Sequence, residues 1–202
     1  MKIKRTIPLL LLLANVGCAS ERLATTTQES DTEATEEVAA LQEDRPIIEF
    51  QGEQFSLQSQ TQNENEIVNE YIPLGESVDG NWTKMLALRE FVNVTDARQA
   101  AGNLVQTVNA NYPEAPVEIF TNEETGQDIV EFTLTGSTDS ELFVEYNLFR
   151  YEPSPSGAGT IAYQYALRAY GDDTDAFLPT IVEQRGERLN AISSYDFPDI
   201  VQ

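Results

Sequence analysis

The chain has 202 residues, of which 34 are Asp or Glu and 12 Lys or Arg, giving a formal charge of −22. Such a surface repels phosphate backbones and anionic lipid, which argues against nucleic acid as a partner. The chain has no histidine and one cysteine, Cys18, which excludes Ser-His-Asp, Cys-His and His-zinc chemistry and an internal disulfide framework.

At the amino terminus Lys2, Lys4 and Arg5 precede an apolar run of 8 residues from Ile7 to Ala14. A membrane-spanning helix needs about 20 apolar residues, so this run reads as the core of a cleavable export signal. It ends in Asn15-Val16-Gly17-Cys18. That stretch resembles the bacterial lipobox, in which small residues precede a cysteine that is acylated and becomes the new first residue. Asn15 departs from the pattern, which prefers leucine there. The resemblance implies a signal over residues 1–17, palmitate-type acyl chains on Cys18 and attachment to membrane through that lipid. Ala19 and Ser20 follow the cysteine in place of Asp, which by the sorting rule of such lipoproteins implies the outer membrane, facing the periplasm. Anchoring would rest on several chains, since each buried methylene contributes about 0.8 kcal/mol. Removing the signal leaves 9 basic against 34 acidic residues, a charge of −25.

Residues 18–45 then form the lipidated cysteine and a tether. Residues 19–45 hold 8 acidic and 2 basic residues, with Leu23, Val38 and Leu41 the main large apolar ones. A segment of this kind cannot bury enough surface to offset its ordering entropy, and a disordered linker is expected. A transient helix from Glu33 to Gln42 is the one element it could carry.

Residues 46–202 are expected to fold as a single α+β domain. Ile48-Glu49-Phe50 and the stretch from Gln54 to Gln58 read as short strands around Gly52, and residues 60–65 as a polar turn. A third strand runs from Glu66 to Pro73. A loop through Asp79-Gly80-Asn81 leads to a fourth, from Trp82 to Asn93. Thr95 to Asn111 is the best helix: Thr95 is placed to cap it, and Ala97, Ala100, Ala101, Leu104, Val105, Val108 and Tyr112 recur at steps of three and four, giving one buried stripe. Strands at 117–121 and 129–134 flank the turn Glu123-Glu124-Thr125-Gly126. Leu142, Val144, Tyr146 and Leu148 then face Ile161, Tyr163, Tyr165 and Leu167 across a loop at 153–159. A last helix is expected from Thr174 to Ser193, with Leu178, Ile181, Val182, Arg185, Leu189 and Ile192 inward. Hairpin connections predict a mostly antiparallel sheet with two main helices packed on it. This order, together with Asn69-Glu70-Tyr71-Ile72-Pro73-Leu74-Gly75-Glu76 and Asn81-Trp82-Thr83, resembles the Mog1/PsbP-like fold of uncharacterised exported proteins. The resemblance implies an α+β layer fold over roughly residues 47–195 and carries no catalytic residues to transfer.

No constellation of catalytic residues is recognisable. Ser154-x-Ser156 and Ser193-Ser194 lack a histidine and the nucleophile-elbow glycines. Gly157-Ala158-Gly159 lacks the lysine of a phosphate loop. Asp172, Asp173 and Asp175 read as acids capping the last helix at its positive end, because their spacing is not that of a calcium loop. No metal and no cofactor is expected. Five tyrosines, Tyr146, Tyr151, Tyr163, Tyr165 and Tyr170, crowd one hairpin. Trp82, Tyr146, Tyr163 and Tyr165 are the candidate binding surface, although a hairpin packed on a helix and on solvent, with Trp82 at a core edge, is the favoured reading of the same side chains. The resulting expectation is a membrane-anchored, periplasm-facing, non-catalytic binding or interaction domain whose partner is an envelope protein or glycan. A carboxylate-only enzyme acting on envelope glycans, and a small-ligand binder, are the alternatives.

Overall fold

Alternating and fully apolar runs condense into eight strands, β1 (Ile47–Phe50), β2 (Glu53–Gln62), β3 (Glu66–Pro73), β4 (Lys84–Val92), β5 (Val117–Asn122), β6 (Gln127–Ser137), β7 (Leu142–Pro153) and β8 (Gly159–Tyr170). The computed structural model describes residues 45–77, 81–138, 141–157 and 159–201. The signal, Cys18, the tether before Arg45, Asp79, Gly80 and Ala158 lie outside the described residues. Ile47–Gln202 cluster as one compact unit.

All eight strands join one antiparallel sheet in the order β1-β2-β3-β4-β8-β7-β6-β5. The fold is α+β, as the hairpin pattern indicates. The first four strands form a meander. Helix α1 (Ala97–Asn111) then carries the chain across the sheet to its far edge, and the last four strands return inward until β8 closes on β4. A 15-residue helix is roughly 22 Å long, enough to cross most of that distance at about 4.8 Å per strand.

Local chemistry sets the turns. Gln51 and Gly52 both take positive φ, 52° and 77°, the backbone of a type I′ hairpin turn. Gly126, at φ 72°, closes the β5–β6 hairpin, where the Asn122 side chain accepts from the Glu124 and Thr125 amides. The expected turn at 60–65 is shorter. A bulge between Leu57 and Ser59 shifts the β2–β3 register, so the polar stretch Gln60, Thr61 and Gln62 still pairs with Asn69, Val68 and Ile67. The turn itself is made by Asn63, whose side chain accepts from the amides of Asn65 and Glu66.

Asp96, not Thr95, caps α1: its carboxylate accepts from the Gln99 amide. Ala97, Ala100, Ala101, Leu104 and Val108 form the buried stripe. The expected last helix is two, α2 (Asp173–Glu183) and α3 (Arg185–Ser194), broken at Gln184. Pro179 lies inside α2 and Gly186 at the start of α3, both poor helix residues. Arg188 lies across the break, donating to the Thr180 carbonyl and the Gln184 side chain. Within α2 the inward side is that of Phe177 and Ile181, so Leu178 and Val182 are exposed, not inward, while Ile181 and, in α3, Ile192 are buried. Asp172 occupies the N-cap position of α2 but makes no side-chain capping bond; Asp173 and Asp175 lie in the first turn. Their contribution is to the helix dipole alone.

The two sheet faces follow from strand alternation. Asp128 forms an ion pair with Arg98 of α1, whereas Glu131, three residues on, is bound by Arg185 of α3. Thus α1 packs on one face, against β5, β6, β7 and β8, and α2 and α3 pack on the other. The second face holds the main core, including Phe50, Phe55, Tyr71, Leu86, Leu88, Leu148, Ile161 and Ile192. None of the described helices is long and apolar enough to cross a membrane.

Candidate functional site

The candidate aromatic surface divides between the faces. Tyr146, Tyr163 and Tyr165 share the face under α2 and α3 and are 1%, 3% and 4% exposed. Burial pushes the Tyr163 and Tyr165 hydroxyls up to about 12, and raises Tyr146 strongly, with Glu131 adding to the effect. These side chains are core, because helices and the C-terminal segment of the same chain occupy their face. Tyr146 donates to Glu131 at 2.6 Å. Trp82 lies on the other face, in a small cluster with Ile72, Met85 and Ala166. Tyr151 and Tyr170, by alternation from Tyr163 across the β7–β8 pairing, also belong there.

That face carries a row of charged and amide side chains running across β3, β4, β8 and β7. Arg89 sits 3.5 Å from both Glu66 and Glu70 of β3 and donates from Nε to Gln164 Oε1 at 3.2 Å. Gln164 donates to Asn147 Oδ1 at 2.9 Å, and Asn147 to Glu145 Oε1 at 2.8 Å. Glu145 accepts Arg168 Nε at 2.8 Å and its Nη2 as well. The Arg168 guanidinium lies 3.8 Å from the Trp82 ring centre and 4.7 Å from that of Phe143. Its Nη1 donates to the Tyr170 hydroxyl, which donates to the Trp82 carbonyl. The cross-strand pairing builds the row: Glu145 is opposite Arg168, and Glu70 and Gln164 are both opposite Ala87, two residues from Arg89.

These charges are neither free nor deeply buried: the Arg89 side chain is 13% exposed, Glu70 22% and Arg168 10%. Desolvation raises the Glu66 carboxyl above its ordinary range, with Arg89 opposing. Gln164 and Asn147 are buried at the centre of the row, and the planar guanidinium and carboxylate groups on either side of them present fixed forks of donors and acceptors. Polar molecules with several hydroxyls, amides or charges match such an array.

Three other carboxylates are buried, and each is already engaged. Glu90 accepts from Ser154 and Ser156, which explains that serine pair as a loop anchor. Asp128 accepts from Thr121, and Glu131 from Tyr146 and Arg185. Among the described residues no group of three or more His, Cys, Asp or Glu side chains is gathered for a metal. Sequence reading missed the row because its members span residues 66 to 168 and each looks like an ordinary outward-facing strand residue. Aligning the β7–β8 hairpin would have placed Glu145 opposite Arg168.

The fold and this row define an antiparallel α+β domain with an aromatic face under α2 and α3 and an opposite face, partly covered by α1, that is crossed by charge. Residues 41–197 match the profile of a protein family whose description names no activity, and the chain belongs to that family. No curated protein and no solved structure matches the chain.

Proposed function

We propose that the protein is an exported, lipid-anchored binding domain. Cys18 carries the acyl chains and residues 19–45 space the domain from the outer membrane. The charged row on β3, β4, β8 and β7 recognises an envelope protein or glycan. The observation that carries this reading is the row itself. A sheet face can be covered by apolar side chains at equal or better stability, because drawing ions partly out of water costs what their attraction returns. A face that keeps two arginines, three glutamates and two amides in one hydrogen-bonded chain is chemically suited to contact polar partners. The engagement of Glu90, Asp128 and Glu131 by neighbouring side chains supports a non-catalytic role, since a general acid or base needs a proton-accepting position open to substrate.

Two experiments test the two halves of the reading. Cys18→Ala is expected to abolish labelling by radioactive palmitate and to release the protein from membranes; continued labelling would end the anchoring proposal. A photocrosslinking residue at Glu70 is expected to give a discrete adduct in intact cells, whereas one at the exposed Val182, on the opposite side of the sheet, gives none. Equal adducts from both sites would remove the row from consideration.

A further inference from the structure

After α3 the chain runs on without regular structure through residue 201, lying over the helix-covered face. Sheet side chains hold it. Arg150 donates to the Tyr195 carbonyl at 2.8 Å, Gln60 and Asn69 donate to the Val201 carbonyl, and Tyr195 donates to the Glu49 carbonyl. The Phe197 ring stacks on Tyr163 at 4.5 Å and 9°, and on Phe50 at 5.8 Å.

The seat beneath this segment is built without it. Phe50, Asn69, Arg150 and Tyr163 come from four strands of the sheet. Arg150 is fixed independently by the Ile192 and Ser193 carbonyls at the end of α3 and by Glu152. The segment also fits the seat incompletely. Asn69 Oδ1 and Arg150 Nε are buried without a hydrogen-bond partner, although Asn69 is 0% and Arg150 4% exposed. Both atoms belong to side chains that grip the segment through their other nitrogens. A buried acceptor and a buried donor left unpaired at the same seat are unfavourable, and they specify what a better occupant brings: an N–H toward Asn69 and an oxygen toward Arg150 Nε.

We propose that residues 195–201 form a releasable strap over a peptide-binding seat. The occupant that displaces it is an extended segment of a partner protein. That segment places an aromatic ring where Phe197 lies, a backbone N–H at Asn69 Oδ1 and a carbonyl or carboxylate oxygen at Arg150 Nε. Backbone groups supply the donor and acceptor, and the aromatic ring supplies apolar contact on Tyr163 and a cation–π contact with Arg150, whose guanidinium lies 5.3 Å from the Phe197 ring centre. The seat is on the opposite face from the charged row and stands independently of it.

The test uses the full chain and, as probe, a fluorescent peptide with the sequence of residues 195–202. Phe197→Ala in the chain loosens the strap and leaves every seat residue in place. The variant is expected to bind the probe at least tenfold more tightly than the unaltered chain, and a probe with alanine in place of its phenylalanine is expected to bind neither. A folded variant that does not bind the probe overturns the proposal. A second variant, ending at Tyr195, guards against misfolding: loss of the near-ultraviolet dichroism in both variants would show the segment to be an integral core element and overturn it equally. A mass of twice the chain in light scattering, abolished by Phe197→Ala, would assign the seat to the strap of a second copy instead.

Discussion

The two faces of the sheet use arginine in opposite ways. Under the helices, Arg150 and Arg188 donate to main-chain carbonyls at helix ends, Ile192, Ser193 and Thr180, and lie over the rings of Tyr163 and Tyr146. Across the sheet, Arg89 and Arg168 are met by side chains: Glu66, Glu70, Gln164 and Glu145. The Ile192 and Ser193 carbonyls, in the last turn of α3, lie where a helix leaves its carbonyls without an intrahelical partner, so the guanidinium there fixes the fold. A carboxylate on an open-sided strand has water as its alternative, so a guanidinium there organises a surface more than it stabilises one. The same residue type therefore marks a fastening on one face and a recognition array on the other.

Removing one arginine from each face gives the sharpest contrast. Arg150→Leu strands three main-chain oxygens and the Glu152 carboxylate, and is expected to cost about 3–5 kcal/mol. Arg89→Leu leaves partly exposed carboxylates that water can reach, and is expected to cost about 1 kcal/mol. Urea unfolding of the two variants decides it, and equal losses would erase the distinction between the faces.

Alkaline pH probes the buried tyrosines, three of which lie under α2 and α3. Tyr163 and Tyr165 are pushed up to about 12 by burial, and Tyr146 is raised further still, while an unfolded tyrosine titrates near 10. Above pH 10 the unfolded chain therefore binds fewer protons than the folded one, and stability falls as pH rises. Their contribution is intact below about pH 10 and is lost between about pH 10 and 12. Tyrosinate absorbance should rise together with loss of tertiary dichroism in that window. Tyrosinate appearing near pH 10 with the fold intact, and reduced in a Tyr163→Phe or Tyr165→Phe variant, would contradict the burial of this face.

The reach of the sequence follows the same division. β3 from Glu66 to Pro73, the β7–β8 alternation and the buried stripe of α1 were legible, because each is a local pattern of apolar spacing. The end of β2 was not, since Ser59 to Gln62 is polar and owes its strand form to partners in β3. The break at Gln184 was hidden because apolar residues on both sides of it fit one continuous helix; only Pro179 and Gly186 hint otherwise. The four aromatic candidates were legible as packed on a helix, but not as buried from solvent too, since the C-terminal segment that covers Tyr163 lies more than thirty positions later. The charged row depends on register between strands distant in sequence, which no local pattern encodes.

The smallest expected effect concerns Glu66, and its sign is informative. Burial raises the Glu66 carboxyl, and the Arg89 guanidinium only partly offsets this. A carboxyl raised on folding binds protons more readily in the native state than in the unfolded chain, so ionising it weakens the fold as pH rises through the raised value. Glu66→Gln removes that charge while keeping a hydrogen-bonding side chain of the same shape. At pH 7 the variant is therefore expected to match the unaltered protein or exceed its stability by less than about 1 kcal/mol. As pH falls and the native carboxyl becomes protonated, the advantage should shrink toward zero. A carboxylate serving mainly as a fastening for Arg89 would behave the other way, with Glu66→Gln losing stability at pH 7 and the deficit closing in acid. Thermal melts of both proteins at pH 4 and pH 7 separate the two cases. A deficit at pH 7 would place the charged row among the elements that hold the fold, alongside Arg150.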